Sequence, residues 1–190
     1  MPTPLLKLSE LAEVRSGHTF REALEHDPAG DVHVLQIKDV RQQSVIDPQA
    51  LIAIRWTARP TSARLQTGEI AVIARGDINC AALYKGGQPV VATSQFFIVS
   101  SNRLDVLPEY LCWMINLPQS QRSLERSGSS IQAITKAALK NMTIPLPPLT
   151  TQHKLLGLQH LWNEEDRLIA HMQENRTQML QGIYQHLTKD

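Results

Sequence analysis

Apolar residues in the last quarter of the chain return every three or four positions: Leu155, Leu158, Trp162, Ile169, Met172, Met179 and Ile183. That spacing lines one stripe of an α-helix and makes a seam suited to a second helix. The stretch holds no proline, and its glycines are Gly157 and Gly182. A Pro-rich break, Ile144-Pro145-Leu146-Pro147-Pro148-Leu149, precedes it. With Thr150 or Thr151 as cap, the pattern predicts a helix reaching about Lys189, roughly 38 residues and roughly 57 Å long. Two seam positions are polar, Glu165 and Arg176. Such breaks weaken a seam but set its register. The alternative is a helix packed back on its own domain, but the seam outruns a domain of this size.

Ahead of the break the periodicity is shorter. Leu5 to Val14 reads as a short strand entering a helical turn, with Ser9 as N-cap, broken at Ser16-Gly17. Phe20 to Gly30 is polar and reads as a loop. Val32 to Val40 alternates and is β-rich, Leu51 to Trp56 is a second strand, and Glu69 to Ala74 is an almost purely apolar, central strand. Arg75-Gly76-Asp77 follows as a loop. Ala81 to Tyr84 and Val90 to Ala92 flank Lys85-Gly86-Gly87 and predict a hairpin, and Gln95 to Val99 is the last strong strand. Helices follow: Pro108 to Leu117 with proline at its first position, Ser120 to Arg126, then a loop at Ser127 to Ser130 and a short helix from Thr135 to Asn141. Met142 to Ile144 is a final strand. Strands first and helices after argue for an α+β fold with a twisted mixed or antiparallel sheet. The expected organisation is one domain over residues 1–149 and a coiled-coil-type helix over 150–190.

Composition adds a core and little charge. The chain is 42% hydrophobic and 19% charged, which suits a globular core and excludes a disordered chain. Lys+Arg 19 against Asp+Glu 18 implies no polyanion partner by itself. Between Lys38 and Lys85, however, seven basic residues face four acidic ones, and five of the seven are Arg. Arg suits bidentate recognition of phosphates and guanine edges, although surface solvation explains such a bias equally. Cys80 and Cys112 lie far apart in apolar surroundings and read as buried, reduced thiols of a cytoplasmic protein. No stretch has the length of a signal peptide's apolar region or of a membrane span.

Leu8-Ser9-Glu10-Leu11-Ala12-Glu13-Val14 is followed by Ser16-Gly17. Thr67-Gly68-Glu69-Ile70-Ala71-Val72 opens the central strand, and Leu107-Pro108-Glu109-Tyr110-Leu111 opens a helix. Gly128-Ser129, Ile131, Ile134 and Leu139 precede the Ile144–Leu149 break with Gln152. In order and spacing these motifs resemble those of the specificity subunit of type I restriction-modification enzymes. The first is similar to that family's opening motif, the second to its central strand, with Glu69 where Asp is usual, and the third to a family helix. The last resembles its strongest motif, with Thr151 and Leu155 replacing the usual Glu and Ile. The resemblance covers nearly the whole chain. It implies a non-catalytic target recognition domain that reads half of a split site in double-stranded DNA. It also implies a helix that spaces two such domains and docks methyltransferase subunits, with a restriction or translocase subunit as a further partner. Family members carry two recognition domains and two helices, so one of each suggests a half-length subunit that pairs with a second copy and reads an inverted repeat. S-adenosylmethionine, ATP and Mg2+ belong to the partner subunits, and this chain is expected to bind no cofactor itself.

Base readers belong on loops and phosphate contacts around them. Arg75 suits guanine and Asp77 cytosine N4, or they form a surface pair. His18, Thr19 and Arg21 follow the Gly17 turn, where the family varies, or make an ordinary polar loop. Lys38 and Arg41 leave one strand together, and Lys85 sits at a Gly-Gly turn; each suits phosphate. Ser94 and Gln95 have the chemistry for adenine or phosphate. Arg55, Arg59 and Arg64 extend the basic surface or are solvated charge.

Other classes fit less well. Asp31 with Gln36-Ile37-Lys38 echoes a Mg-dependent nuclease strand, but Gln stands where Glu is usual and no second acid is evident. There is no Gly-rich cofactor turn, no Asn/Asp-Pro-Pro-aromatic motif and no Walker loop. His153, His160 and His171 are not at i, i+4 spacing, and no metal is expected. An assembly module without a DNA role remains as the alternative, favoured by the near-neutral charge.

Overall fold

The computed structural model describes residues 3–40, 44–56, 62–76, 79–124, 126–127 and 133–188. The chain divides into two compact units, Met1–Leu149 and Thr150–Asp190. The first is an α+β unit. It runs β1 (Leu5–Lys7), α1 (Leu8–Leu11), β2 (Glu13–Ser16), β3 (Val32–Leu35), β4 (Val45–Ile46), β5 (Ile52–Ile54), β6 (Ile70–Ile73), β7 (Ala81–Tyr84), β8 (Val90–Ala92) and β9 (Phe96–Ser100). Then come α2 (Pro108–Asn116), α3 (Pro118–Arg122), β10 (Arg126–Ser127), β11 (Ala133–Ile134), α4 (Lys136–Asn141) and β12 (Thr143–Pro145). The second unit holds the helix α5 (Leu149–Leu187) from its second residue on.

Two sheets make the body. The larger has the order β2-β9-β6-β7-β4, antiparallel except for the parallel β4–β7 pair. The smaller, β5-β3-β8, pairs β3 antiparallel to β5 and parallel to β8. Leu35, Ala71, Ile73, Ala82, Val91, Phe96 and Ile98 belong to one buried cluster contributed by both sheets. β6 is the middle strand of five, and all four of its residues are buried. Ala71 and Ile73 enter the cluster while Ile70 and Val72 are buried on the opposite face, which is why the strand reads as continuously apolar rather than alternating. α2 packs on β7, and its last residue holds the strand directly: Asn116 Oδ1 accepts from Ala81 N at 2.8 Å, and Asn116 Nδ2 donates to Ala81 O at 2.8 Å. The ends of the unit meet in the antiparallel β1–β12 ribbon, Leu5 opposite Pro145, and Tyr110 Oη donates to Pro145 O.

Several expectations are corrected. Lys85-Gly86-Gly87 is a turn but not a hairpin turn. β7 pairs with β6 and β4, β8 pairs with β3, and the chain there crosses from one sheet to the other. Gly86 and Gly87 have φ of 95° and 107°, which only glycine adopts readily, so the turn chemistry is as expected and the strands it joins are not. The N-cap of α1 is Lys7, not Ser9. Glu10 accepts the Lys7 backbone N–H at 2.7 Å, so the carboxylate reaching back does the capping. β3 stops at Leu35, because Ile37–Asp39 turn into a 3-10 helix closed by Asp39 accepting from Gln36 N. Arg126 lies in the β10–β11 ribbon rather than in a helix. α5 begins at Leu149, so Thr150 and Thr151 are within its first turn and do not cap it. Cys112 is buried, but Cys80 is only partly so.

Among the described residues, no helix is long and apolar enough to cross a membrane.

Candidate nucleic-acid interface

The strand order collects polar side chains at one edge of the body. β2 ends beside the start of β9, with Gly17 N donating to Phe96 O. β6 ends on the other side of the same start, with Ala74 N donating to Gln95 O. β3 and β8 are parallel and finish together, Thr93 N donating to Leu35 O. The residues that leave these ends are His18, Arg75, Lys38, Ser94 and Gln95. All five line one open groove of about 720 Å³, together with Gln36, Glu22 and Thr93. Arg75, Lys38, Ser94 and Gln95 are exposed. Two full cations face Glu22, so the groove is weakly positive.

Gly17 is essential to this edge. A Cβ there would lie 1.9 Å from Thr93 O, so the backbone of the β2 end approaches that of the β8 end as only glycine permits. His18 then bridges to Thr93, its N–H donating to Ala92 O. Its ring meets Phe20 edge-on with centroids 4.9 Å apart, and Trp56 at 5.1 Å. Phe20 and Trp56 are 5.6 Å apart and close the cluster. Trp56 is held by its backbone N–H donating to Asp31 Oδ1 at 2.9 Å. This aromatic trio supports the loop bearing Thr19 and Arg21, which face an adjoining cavity with Glu22, Glu25, Asp27, Arg55 and Trp56. That cavity is the more acidic of the two, and Arg55 there pairs with Asp27 at 3.4 Å.

The remaining candidates fall elsewhere. β6 and β7 are antiparallel, so Lys85 leaves β7 at the end opposite Arg75, away from the groove. Arg41, Asp77 and Arg59 lie outside the described residues. Asp31, Gln36 and Lys38 do not share a strand: Asp31 precedes β3, and Lys38 is in the 3-10 turn. Among the described residues no group of three or more His, Cys, Asp or Glu is placed to hold a metal ion.

Sequence reasoning missed two features. Phe20 and Trp56 carried no periodic signal, and nothing local foretold that they would meet His18. The second is Glu69, 5% exposed on the entry to β6. Its Oε1 accepts from Arg15 Nη1 at 2.7 Å, its Oε2 from Arg15 Nη2, and Oε2 also from Gln66 N at 2.8 Å. Arg15 Nε donates to Ser62 O as well. A buried carboxylate is tolerated when paired and hydrogen-bonded in this way, and Arg supplies the two-pronged match. The sequence clues are an acidic residue opening an otherwise apolar strand and its place in the Thr67–Val72 motif.

The groove's donors and acceptors suit a polyanion with readable edges. Arg75 offers a two-pronged donor to guanine or phosphate, Gln95 donor and acceptor to adenine, and Lys38 a point charge.

Several known structures share this fold. One comes from work on complex assembly and conformational transition of the type I R-M system; it is 16% identical with TM-score 0.66, over 85% of this chain and 38% of that one. The HsdS subunit from Thermoanaerobacter tengcongensis is 14% identical with TM-score 0.61, over 85% and 37%. The type I restriction-modification S subunit from M. genitalium is 16% identical with TM-score 0.56, over 85% and 39%. This chain thus spans less than two-fifths of each. Among curated proteins none matches. The family model for the type I restriction modification DNA specificity domain matches residues 5–163, taking in every strand and helix of the first unit and the start of α5, and the chain therefore belongs to that family.

Proposed function

We propose that this chain is the sequence-reading, non-catalytic component of a type I restriction-modification assembly. The observation that carries the reading is the convergence of His18, Lys38, Arg75, Ser94 and Gln95 on one groove, in a chain of the DNA specificity family. Residues 1–149 read a half-site of a few base pairs. Arg75 and Gln95 contact base edges in the major groove, and Lys38 and Ser94 contact phosphates. Arg21 and Thr19 extend the contact, and Lys85, on the far edge, contributes at most to backbone attraction.

The helix pairs with a second copy, so that two half-sites form an inverted repeat, and it presents a docking surface to methyltransferase subunits. S-adenosylmethionine, ATP and Mg2+ chemistry belongs to those partners and to any restriction subunit; this chain binds none of them.

Selection from randomised duplexes by the dimer, alone and with its methyltransferase subunits, tests this. A split palindrome with affinity falling steeply with salt is expected, because phosphate contacts release counterions. Methyltransferase uptake without any DNA enrichment would instead support the assembly-module reading, which the net charge of +1 favours.

A further inference from the structure

One charge in the groove has the wrong sign for a polyanion. Glu22 is the single carboxylate lining it among the described residues, and it shares the groove with Lys38, Arg75 and Gln95. The loop is anchored just before it. Phe20, two residues earlier, lies between the His18 ring, with centroids 4.9 Å apart, and the Trp56 ring at 5.6 Å. The next three aspartates in the chain all hold the fold together. Asp27 accepts from Ala29 N and pairs with Arg55, Asp31 accepts from Trp56 N, and Asp39 accepts from Gln36 N. Glu22 has no such bond among the described residues, and it is exposed.

We propose that Glu22 is a base reader that accepts a hydrogen bond from the N4 amino group of a cytosine in the major groove, and so fixes one position of the half-site as C. The inference rests on the DNA-reading proposal above and deepens it. A carboxylate facing a phosphate backbone lowers affinity for every sequence. Its place in the groove is explained by a contact that only some sequences offer, which rewards the right site and penalises the rest. An ionised carboxylate only accepts hydrogen bonds, which excludes guanine O6 and N7 and thymine O4, all of them acceptors. Adenine N6–H2 lies between two acceptors, its own N7 and thymine O4, and they repel the second carboxylate oxygen. Cytosine N4–H2 has an acceptor on one side only, guanine O6, and that is the group Arg75 suits. Glu22 and Arg75 together therefore match G·C chemistry. Phe20, Leu24 and Ile37 line the same groove, and their apolar surface reduces competition from water for a hydrogen bond made there. The sequence pointed to Asp77 for cytosine, and Asp77 lies outside the described residues; Glu22 supplies the same chemistry within them.

The test is selection from randomised duplexes by the full chain with its methyltransferase subunits, run in parallel for wild type, E22A and E25A. Glu25 is on the same loop but lines only the adjoining cavity, so E25A controls for a general change in loop charge. Wild type should enrich a half-site with cytosine at one position. E22A should lose that preference by about tenfold, keep the other positions, and bind unrelated duplex at least as tightly as wild type, because a negative charge has gone. E25A should enrich the wild-type sequence. An unchanged preference in E22A, loss of a base other than cytosine, a general loss of binding, or the same change in E25A would overturn the role of Glu22 while DNA reading stands. A wild-type assembly that enriches no sequence would overturn the DNA-reading proposal and this inference with it.

Discussion

Replacing Glu69 with Ala should destabilise the first unit far more than a surface carboxylate would. The carboxylate is 5% exposed and accepts three hydrogen bonds, two from the Arg15 guanidinium and one from Gln66 N. A hydrogen bond to a charged group contributes roughly 1.5–3 kcal/mol, and breaking a buried pair costs roughly 3–5 kcal/mol. The Arg15 side chain keeps 25% of its exposure, so water recovers part of the loss for the stranded cation. The expected cost is therefore about 3 kcal/mol, which lowers the melting temperature by roughly 6–12 °C. Urea unfolding followed by circular dichroism measures it, and a double-mutant cycle with Arg15→Ala isolates the pair, with about 1.5 kcal/mol or more of coupling expected. A Glu69→Ala loss within about 0.5 kcal/mol of wild type, or additive single variants, would refute the argument that this pair ties β2 to the entry of β6.

Gly17→Ala should cost about 2 kcal/mol or more and weaken DNA binding, because its Cβ would meet Thr93 O; thermal melting with a parallel binding titration checks both. Lys38→Ala should weaken all DNA sequences alike and reduce the salt slope by about 1, whereas Arg75→Ala should relax selectivity at one position, as parallel selections will show. Burial, aided by Glu109, pushes the Cys112 thiol up to about 12, so a disulfide reagent at pH 8 should leave it untouched in the native chain and label it in urea. Because that thiol ionises at a lower pH once unfolded, its contribution to stability is complete below about pH 9 and is lost as pH rises towards 12. Ile169→Glu, in the middle of the seam, should yield monomer by light scattering while circular dichroism of the first unit is unchanged.

Much of what depends on neighbours in sequence is legible beforehand, although the Glu10 cap of α1 and the 3-10 turn at Ile37–Asp39, which are equally local, are not. The three-four stripe foretold α5, the apolar run Ile70–Ile73 a central strand, Pro108 the start of α2, and Thr135 the start of α4, where its hydroxyl accepts from Ala138 N. These signals are local because helix periodicity, strand apolarity and proline's missing N–H act within a few residues. The same local view recognised the Gly86-Gly87 turn and misjudged what it joins, since turn chemistry says nothing about which strand lies alongside. The candidate groove is half legible: His18, Lys38, Arg75, Ser94 and Gln95 each carry suitable chemistry, and only strand pairing shows that they share an edge while Lys85 does not.

The sequence by itself, then, determined the α+β class, the long helix with its apolar stripe and the kinds of side chain the chain carries. Tertiary structure decided their company. Arg15 and Glu69 are 54 positions apart, Asn116 and Ala81 are 35, and Leu5 opposes Pro145 at the far end of the unit. Contacts at such separations leave no periodic trace. They arise because buried charges and unpaired strand edges must be satisfied by whatever the folded chain brings near.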